Sequence, residues 1–275
     1  METRSLDLTR KIAKFIVKTD VSNIPSIVYE YAKIAFMDWY AVTMGGKDQP
    51  LVSKLIHLAD IMGGHAQATV LGHDVKTNIS LAALINGSAS HALDYDDHTF
   101  FRNTPMHPSV TLFPSLLAFS EWKEKSGSDF LTSYIIGFKV GACVGSCLDA
   151  EHYLAGWHST STLGRIASAA GCAKLMGLNE QQTVYALGIA GTQASGFKRV
   201  FGTMSKPFHA GRASQIGLEA ALLASQDFTS AEDILEGPAG FFQLLKGHVN
   251  EEAVDSLGKT WDIEDVIQKY HASGA

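Results

Sequence analysis

LTSYIIGFKVGACVGSCL, residues 131–148, is the longest apolar run in the chain. Thr132, Ser133 and Lys139 interrupt it, so it reads as a buried helix and not as a membrane span. Gly137, Gly141 and Gly145 recur at every fourth position and therefore share one helical face. Glycine costs about 1 kcal/mol relative to alanine inside a helix, and close helix–helix approach is what offsets that loss. A dense bundle follows. Working outward, apolar residues at three- and four-residue spacing predict helices near 7–18, 25–44, 50–62, 79–93, 109–124, 129–148, 159–176, 180–195 and 210–226. Asn179 with Gln182, and Thr229 with Glu232, read as capping boxes, Ser128 precedes a helix, and Gly45-Gly46, Gly63-Gly64 and Gly177 sit where helices should stop. Only Ala68–Leu71 reads as a strand, followed by a turn over Asp74–Asn78. The expected class is all-α, a compact multi-helix domain.

The 275 residues suffice for a sizeable core. With 46% hydrophobic and 18% charged residues and 7 prolines, the composition is that of a globular chain without disorder or fibrous repeats. A net charge of -6 argues against nucleic acid as a partner, because phosphate neutralisation needs a basic surface. The opening METRSLDLTRKIAKFIVKTD is an amphipathic helix lacking the apolar stretch and cleavage site of a secretory signal. Cys143 and Cys147, four apart on one helix, are poorly placed for a disulfide, and with Cys172 they read as buried thiols of a reducing compartment. The expected location is cytoplasmic, with no membrane partner.

Three stretches hold more polar chemistry than a helical core tolerates. His91-Ala92-Leu93-Asp94-Tyr95-Asp96-Asp97-His98, followed by Met106-His107-Pro108-Ser109, ends a helix that is apolar from Leu81 onward. Asp94 is three residues beyond His91 and shares its helix face, and three acids so close need cations or hydrogen bonds. The plain alternative is a solvated helix end with Ser109 as the next N-cap. Gly156-Trp157-His158-Ser159-Thr160-Ser161-Thr162 crowds hydroxyls at a helix start, where free amides and the positive dipole end favour an anion; His158 is either a cap residue or a contact for a substrate carboxylate, and Ser159 is a candidate ligand. Phe197–Arg212 carries Lys198, Arg199, Lys206, His209 and Arg212 and no acid, a local reversal of sign suited to a multiply charged anion. Arg199 and His209 are candidate substrate contacts there. The stretch lacks the G-x-x-x-x-G-K-S/T spacing of a phosphate loop and the aromatic ladder of a nucleic-acid surface.

A metal site is the rival for the first stretch, since His91, Asp94, Asp97, His98 and His107 could act as ligands. No H-E-x-x-H spacing accompanies them, and no dinucleotide fingerprint or G-x-S-x-G elbow exists. The expectation is therefore chemistry with no metal and no cofactor. Removing a proton beside a carboxylate spreads charge onto that carboxylate, which surrounding cations stabilise, and a histidine acts as base or acid. Two histidines and a lysine suit elimination, decarboxylation or epimerisation.

Taken together, Ala35-Phe36-Met37-Asp38-Trp39, Ala92–Asp97, His107-Pro108-Ser109, Gly156-Trp157-His158 and Gly202–Gly211 resemble, in order and spacing, the N-terminal part of the 2-methylcitrate dehydratase family (MmgE/PrpD), which also includes cis-aconitate decarboxylase and iminodisuccinate epimerase. The resemblance spans nearly the whole chain. It implies a large helical domain, a smaller α/β lid with the active site between the two, no metal, and a homodimer. By motif position Asp94, His107, His158 and Lys206 would form the catalytic group, with His98 and Lys269 as substrate contacts, Lys269 on the segment entering the lid. The helical domain is expected over 1–264 and the start of a crossover over 265–275, the lid being absent or only begun. Four residues after Asp94 stands His98, where the decarboxylase branch looks threonine-like, so the expected reaction is dehydration of a 2-methylcitrate-like acid. Decarboxylation or epimerisation of a related di- or tricarboxylate is the alternative, as is a lidless carboxylate-binding module.

Overall fold

In the computed structural model, which describes residues 7–102 and 104–272, α1 (Leu8–Lys18), α2 (Ser26–Gly46), α3 (Pro50–Met62) and α4 (Ile79–Ser90) come first. Next are α5 (Ser109–Lys123), α6 (Gly127–Ser146), α7 (Ala150–Leu154), α8 (Ser159–Met176) and α9 (Glu180–Gly191), then α10 (Ser205–Ala224), α11 (Phe241–Leu245) and α12 (Glu251–Asp255). The domain is all-α. The opening Met1–Leu6 of the amphipathic N-terminal reading and the last three residues of the 265–275 segment lie outside the described residues.

Helices α8 and α10 pack on each other at the centre, with α4 against α10 and α6 against α8. Small residues make these crossings close. A Cβ on Gly137 would stand 2.8 Å from the Ala167 carbonyl oxygen of α8 and 2.6 Å from Leu112 Cδ2. Gly137→Ala is therefore expected to destabilise the domain by about 1–3 kcal/mol, the usual result of overpacking, where a solvent-facing Gly→Ala in a helix would stabilise it. Thermal unfolding distinguishes the two signs.

Lys139, in the middle of the apolar run, is 1% exposed and donates to Asp262 Oδ2 at 2.7 Å and Ser256 Oγ at 2.9 Å. This ion pair, buried on the lysine side, ties the segment after α12 to α6. The three cysteines are free and buried, as expected.

The Asn179–Gln182 capping box forms, and Gly63 and Gly177 end α3 and α8 at φ 69° and 70°. Several expectations fail locally. Thr229 and Glu232 cap nothing: residues 232–236 form consecutive turns. The N-cap of α6 is Ser126, not Ser128. Ser109 is the first residue of α5, and Pro108 precedes it. The turn lies at 71–74, so Lys76–Thr77 returns as β2 antiparallel to β1 (Ala68–Thr69). A second hairpin, β3 (Thr99–Phe101) with β4 (Thr104–Met106), carries the chain between the two polar halves of the first stretch. No helix among the described residues is long and apolar enough to cross a membrane.

Candidate active site

The floor of the site is aromatic. Trp39 on α2 is fully buried against Phe113, whose ring stacks on Tyr134 with centroids 3.9 Å apart. The Tyr134 hydroxyl meets Ser109 Oγ at 2.9 Å, and Ser109 Oγ in turn donates to Asp97 Oδ2 at 2.5 Å. The motifs around Trp39 and Ser109 thus hold the loop after α4 from below.

That loop turns sharply. His91 caps the C-terminal end of α4, and Asp94 takes a left-handed φ of 51°, a conformation aspartate tolerates better than most residues. Its carboxylate is bridged by two ammonium groups. Lys206 on the first turn of α10 donates to Oδ2 at 2.7 Å, and Lys269 donates to Oδ1 at 3.0 Å and to the Asp94 carbonyl at 2.9 Å. Burial alone would raise this carboxyl, but the Lys206 hydrogen bond, the His91 charge and Lys269 outweigh it and hold it below its ordinary value.

Asp96 and Asp97 are fully buried, so the solvated helix end is excluded. Asp96 lies between two imidazoles. His91 Nδ1 is 3.0 Å from its oxygens and His107 Nδ1 is 2.8 Å from Oδ2. Burial pushes Asp96 up, while His91 and His107 pull harder and keep it well below the carboxylate range. His107 Nδ1 is also 3.0 Å from the Asp97 carbonyl. With acceptors on both sides, Nδ1 is the nitrogen assigned the proton, and Nε2 is left for the cavity.

Asp97 behaves oppositely: burial, opposed by the Ser109 hydrogen bonds and reinforced by Asp96 and Asp38, pushes its carboxyl from 3.8 up to about 8. Because the folded value is raised, its contribution to stability is fully present below 3.8 and is lost as pH rises through about 8. Asp97→Asn is expected to flatten that loss between pH 3.8 and about 8, which denaturant unfolding at a series of pH values reads directly.

His158 is the residue before α8. Its amide donates to the Gly196 carbonyl at 3.0 Å, and its ring is buried beside Phe201, with centroids 5.0 Å apart. Burial first, then the neighbouring His91, His209, His107 and Lys206, drives its imidazole well below the usual value, so it is neutral. The hydroxyls of the first turn of α8 do structural work. Ser159 Oγ donates to the Pro105 carbonyl, and Thr160 Oγ1 accepts the His107 amide at 3.2 Å.

These groups surround a cavity of about 300 Å³ lined by Asp94, His98, His107, His158, Lys206 and Lys269 among others, with Tyr153, Phe100, Pro105 and Phe201 as its less polar wall. Asp94, His107, His158 and Lys206, gathered from three separate stretches, therefore meet at one place. Lys269 joins them because Ile267 pairs with the His98 backbone in an antiparallel bridge. His98 lines the cavity, and its Nδ1 is buried with no hydrogen-bond partner among the described residues. Ser159 lines it too, with its oxygen engaged by Pro105. The structure does not bring Arg199 to this cavity. It is exposed on the 3-10 turn Lys198–Val200 and is not among the residues lining the cavity. His209 lies behind His158, again outside the lining, with the two Nδ1 atoms 3.1 Å apart. Of the basic stretch, only Lys206 presents its charge to the cavity, since Lys198 stacks over the Tyr153 ring at 3.5 Å. Tyr153, which no sequence pattern singled out, comes from the short α7.

One ligand atom each from His91, Asp94, Asp96 and His107 falls within 4.8 Å of the others, a spacing a cation could use. Asp94 and Asp96 already face two ammoniums and two imidazoles, so a metal would first have to displace Lys206 and Lys269. The donor set fits cationic side chains better than a metal ion. What the arrangement offers is two ammoniums, the positive ends of α8 and α10, and imidazole nitrogens facing a small space, a combination that suits a polyanion of modest size.

This helical domain with its imidazole–ammonium cavity is of the MmgE/PrpD type: residues 10–252 match the MmgE/PrpD N-terminal domain, and the chain belongs to that family. It is 30% identical over 97% of its length to the cis-aconitate decarboxylase-like protein oryM of Aspergillus oryzae, covering 58% of that protein. It is 29% identical over 96% of its length to cis-aconitate decarboxylase of Aspergillus terreus, and 30% identical over 95% to that of Homo sapiens, covering 57% and 56% of them. The chain thus spans less than three fifths of the length of these curated relatives.

Proposed function

We propose that this chain supplies the substrate-binding and proton-transfer groups of a cofactor-independent lyase acting on a small di- or tricarboxylate. The observation that carries the reading is the convergence of Lys206, Lys269, His107 and His158 on one 300 Å³ cavity. The two ammoniums, positioned by Asp94, hold a carboxylate of the substrate. As charge builds on that carboxylate while a proton moves at the adjacent carbon, the same groups stabilise it more in the transition state than in the ground state. His107 Nε2 and His158 are the acid–base pair.

Names of the relatives favour decarboxylation of a cis-aconitate-like acid, in which carbon dioxide leaves, the double bond shifts and a proton is delivered to the carbon beside a remaining carboxylate. Dehydration of a 2-methylcitrate-like acid is the second reading, supported by the neutrality of His158, which suits a base.

The purified chain is incubated with cis-aconitate while released carbon dioxide is measured, and with 2-methylcitrate while ultraviolet absorbance of an unsaturated product is followed. Calorimetry reports binding of both acids independently. Saturable binding with turnover of either acid supports the reading and chooses the reaction. Absence of binding to both sinks it, and full activity in His158→Ala removes His158 from the mechanism.

A further inference from the structure

His209 is left without a part in the reading above, yet it makes the only side-chain hydrogen bond of the His158 ring among the described residues, Nδ1 to Nδ1 at 3.1 Å. Such a contact needs one proton between two nitrogens, so one ring donates and the other accepts. The contact is built into the backbone. Gly196, whose carbonyl receives the His158 amide, has φ 115°, and a Cβ there would stand 2.7 Å from Ser161 Cβ and 3.3 Å from His209 Nδ1. Ser161 and Ser195 in turn fix the buried guanidinium of Arg165.

The titratable groups acting on the two rings are basic, while the Asp94 carboxylate on the same cavity wall is held 2.7 Å from the Lys206 ammonium. His91, His107 and Lys206 face His158, and Arg165 and His91 face His209. Burial, then these basic neighbours, lowers both rings, His209 to about 4, so the pair is neutral at ordinary pH and shares a single proton on the Nδ1 side. Two arrangements are open to it. Either His158 donates from Nδ1 and turns an unprotonated Nε2 to the cavity, or His209 donates and the His158 Nε2–H faces the cavity. Lys206 decides between them. Its ammonium lines the same cavity and its charge acts on the His158 ring, where no carboxylate is among the main influences, and a lone pair facing a cation is favoured where an N–H dipole is repelled.

We propose that His209 is a positioning residue that accepts the Nδ1 proton of His158 and thereby holds Nε2 of His158 unprotonated toward the cavity. An unconstrained histidine side chain favours the proton on Nε2, so this tautomer is imposed by the fold. For catalysis, which rests on the function proposed above, it makes His158 the group ready to take a proton from carbon in the dehydration reading. The tautomer itself does not depend on that function.

The test is long-range proton–nitrogen correlation of the full chain labelled with 15N-histidine at neutral pH, with His158 assigned by the signal lost in His158→Gln. The expected wild-type pattern is a protonated Nδ1 and an unprotonated Nε2. It should reverse in His209→Leu and persist in His209→Asn, whose amide oxygen accepts the same proton. A wild-type His158 protonated at Nε2, or a pattern unchanged in His209→Leu, overturns the proposal. Should His209→Leu fail to fold by circular dichroism, His209→Phe replaces it, and the wild-type spectrum already decides the first point. Kinetics separate the two readings. A wild-type chain that binds and turns over no carboxylate refutes the function while the spectrum still reports the tautomer. In an active chain, His209→Leu should lower kcat about a hundred-fold with KM little changed, and an unchanged kcat denies the tautomer any catalytic role.

Discussion

Replacing Lys206 by alanine is expected to lower turnover of the carboxylate substrate about a hundred- to a thousand-fold, the usual effect of removing one preorganised charge-stabilising group. Lys206 is only 8% exposed, and its ammonium lies 2.7 Å from Asp94. Its loss removes a cation from the cavity wall and leaves the half-buried Asp94 carboxylate facing it with Lys269 as its one remaining ammonium partner. Both changes repel an incoming polyanion, so affinity falls together with rate. Lys206→Arg should not restore activity, because the planar guanidinium is longer and donates in a fixed fork. Calorimetric titration with a tricarboxylate, alongside steady-state rates, measures the two effects separately. Unaltered binding in Lys206→Ala would place the carboxylate elsewhere.

Asp96→Asn should act on stability and activity at once. The wild-type carboxylate is buried between His91 and His107 and satisfies both Nδ1 atoms. Removing one partner of a buried charged network costs about 3–5 kcal/mol. The folded Asp96 value is depressed, so its stabilisation is present above 3.8 and is lost as pH falls through the lower folded value. Wild type should therefore lose stability on acidification more steeply than the variant, and urea unfolding at falling pH records the difference. An amide also releases the His107 tautomer, so kcat should drop by about a hundred-fold or more. A variant as stable as wild type at neutral pH would show that the network carries little of the fold.

Long helices were legible because their burial pattern repeats over several turns. The glycine repeat at 137, 141 and 145 reads as a helix that a neighbour approaches closely, and the structure supplies that neighbour, with Gly137 against the Ala167 carbonyl. Helices α7, α11 and α12 were not legible, since five residues are too few for a 3.6-residue period to show. The β3–β4 hairpin escaped for the same reason, each strand being three residues long.

In the site, histidines and Lys206 stood out by type and clustering. The burial of Asp96 and Asp97 did not, because what neutralises or hydrogen-bonds them, His107 and Ser109, comes from beyond the hairpin. Ser159 lines the cavity, but its hydroxyl is engaged. A hydroxyl at a helix start looks available to a ligand until the Pro105 carbonyl is placed next to it. Arg199 stands out by the charge of its neighbourhood, but a local charge count does not say which way a side chain on a 3-10 turn faces, and it is exposed outside the cavity lining. Lys269 came only through the family resemblance, for nothing in its own neighbourhood marks it.

Lys269 reaches Asp94 across 175 positions of chain. A chain whose segment around Ile267 has not yet docked on His98 lacks half of the cavity's ammonium charge, however complete its helices are. Under the proposed function, capture of the anion waits on that docking. An acid that binds only the finished arrangement would draw the folding equilibrium toward it, raising stability with the logarithm of its concentration, so the ligand itself would help to keep the two distant segments joined.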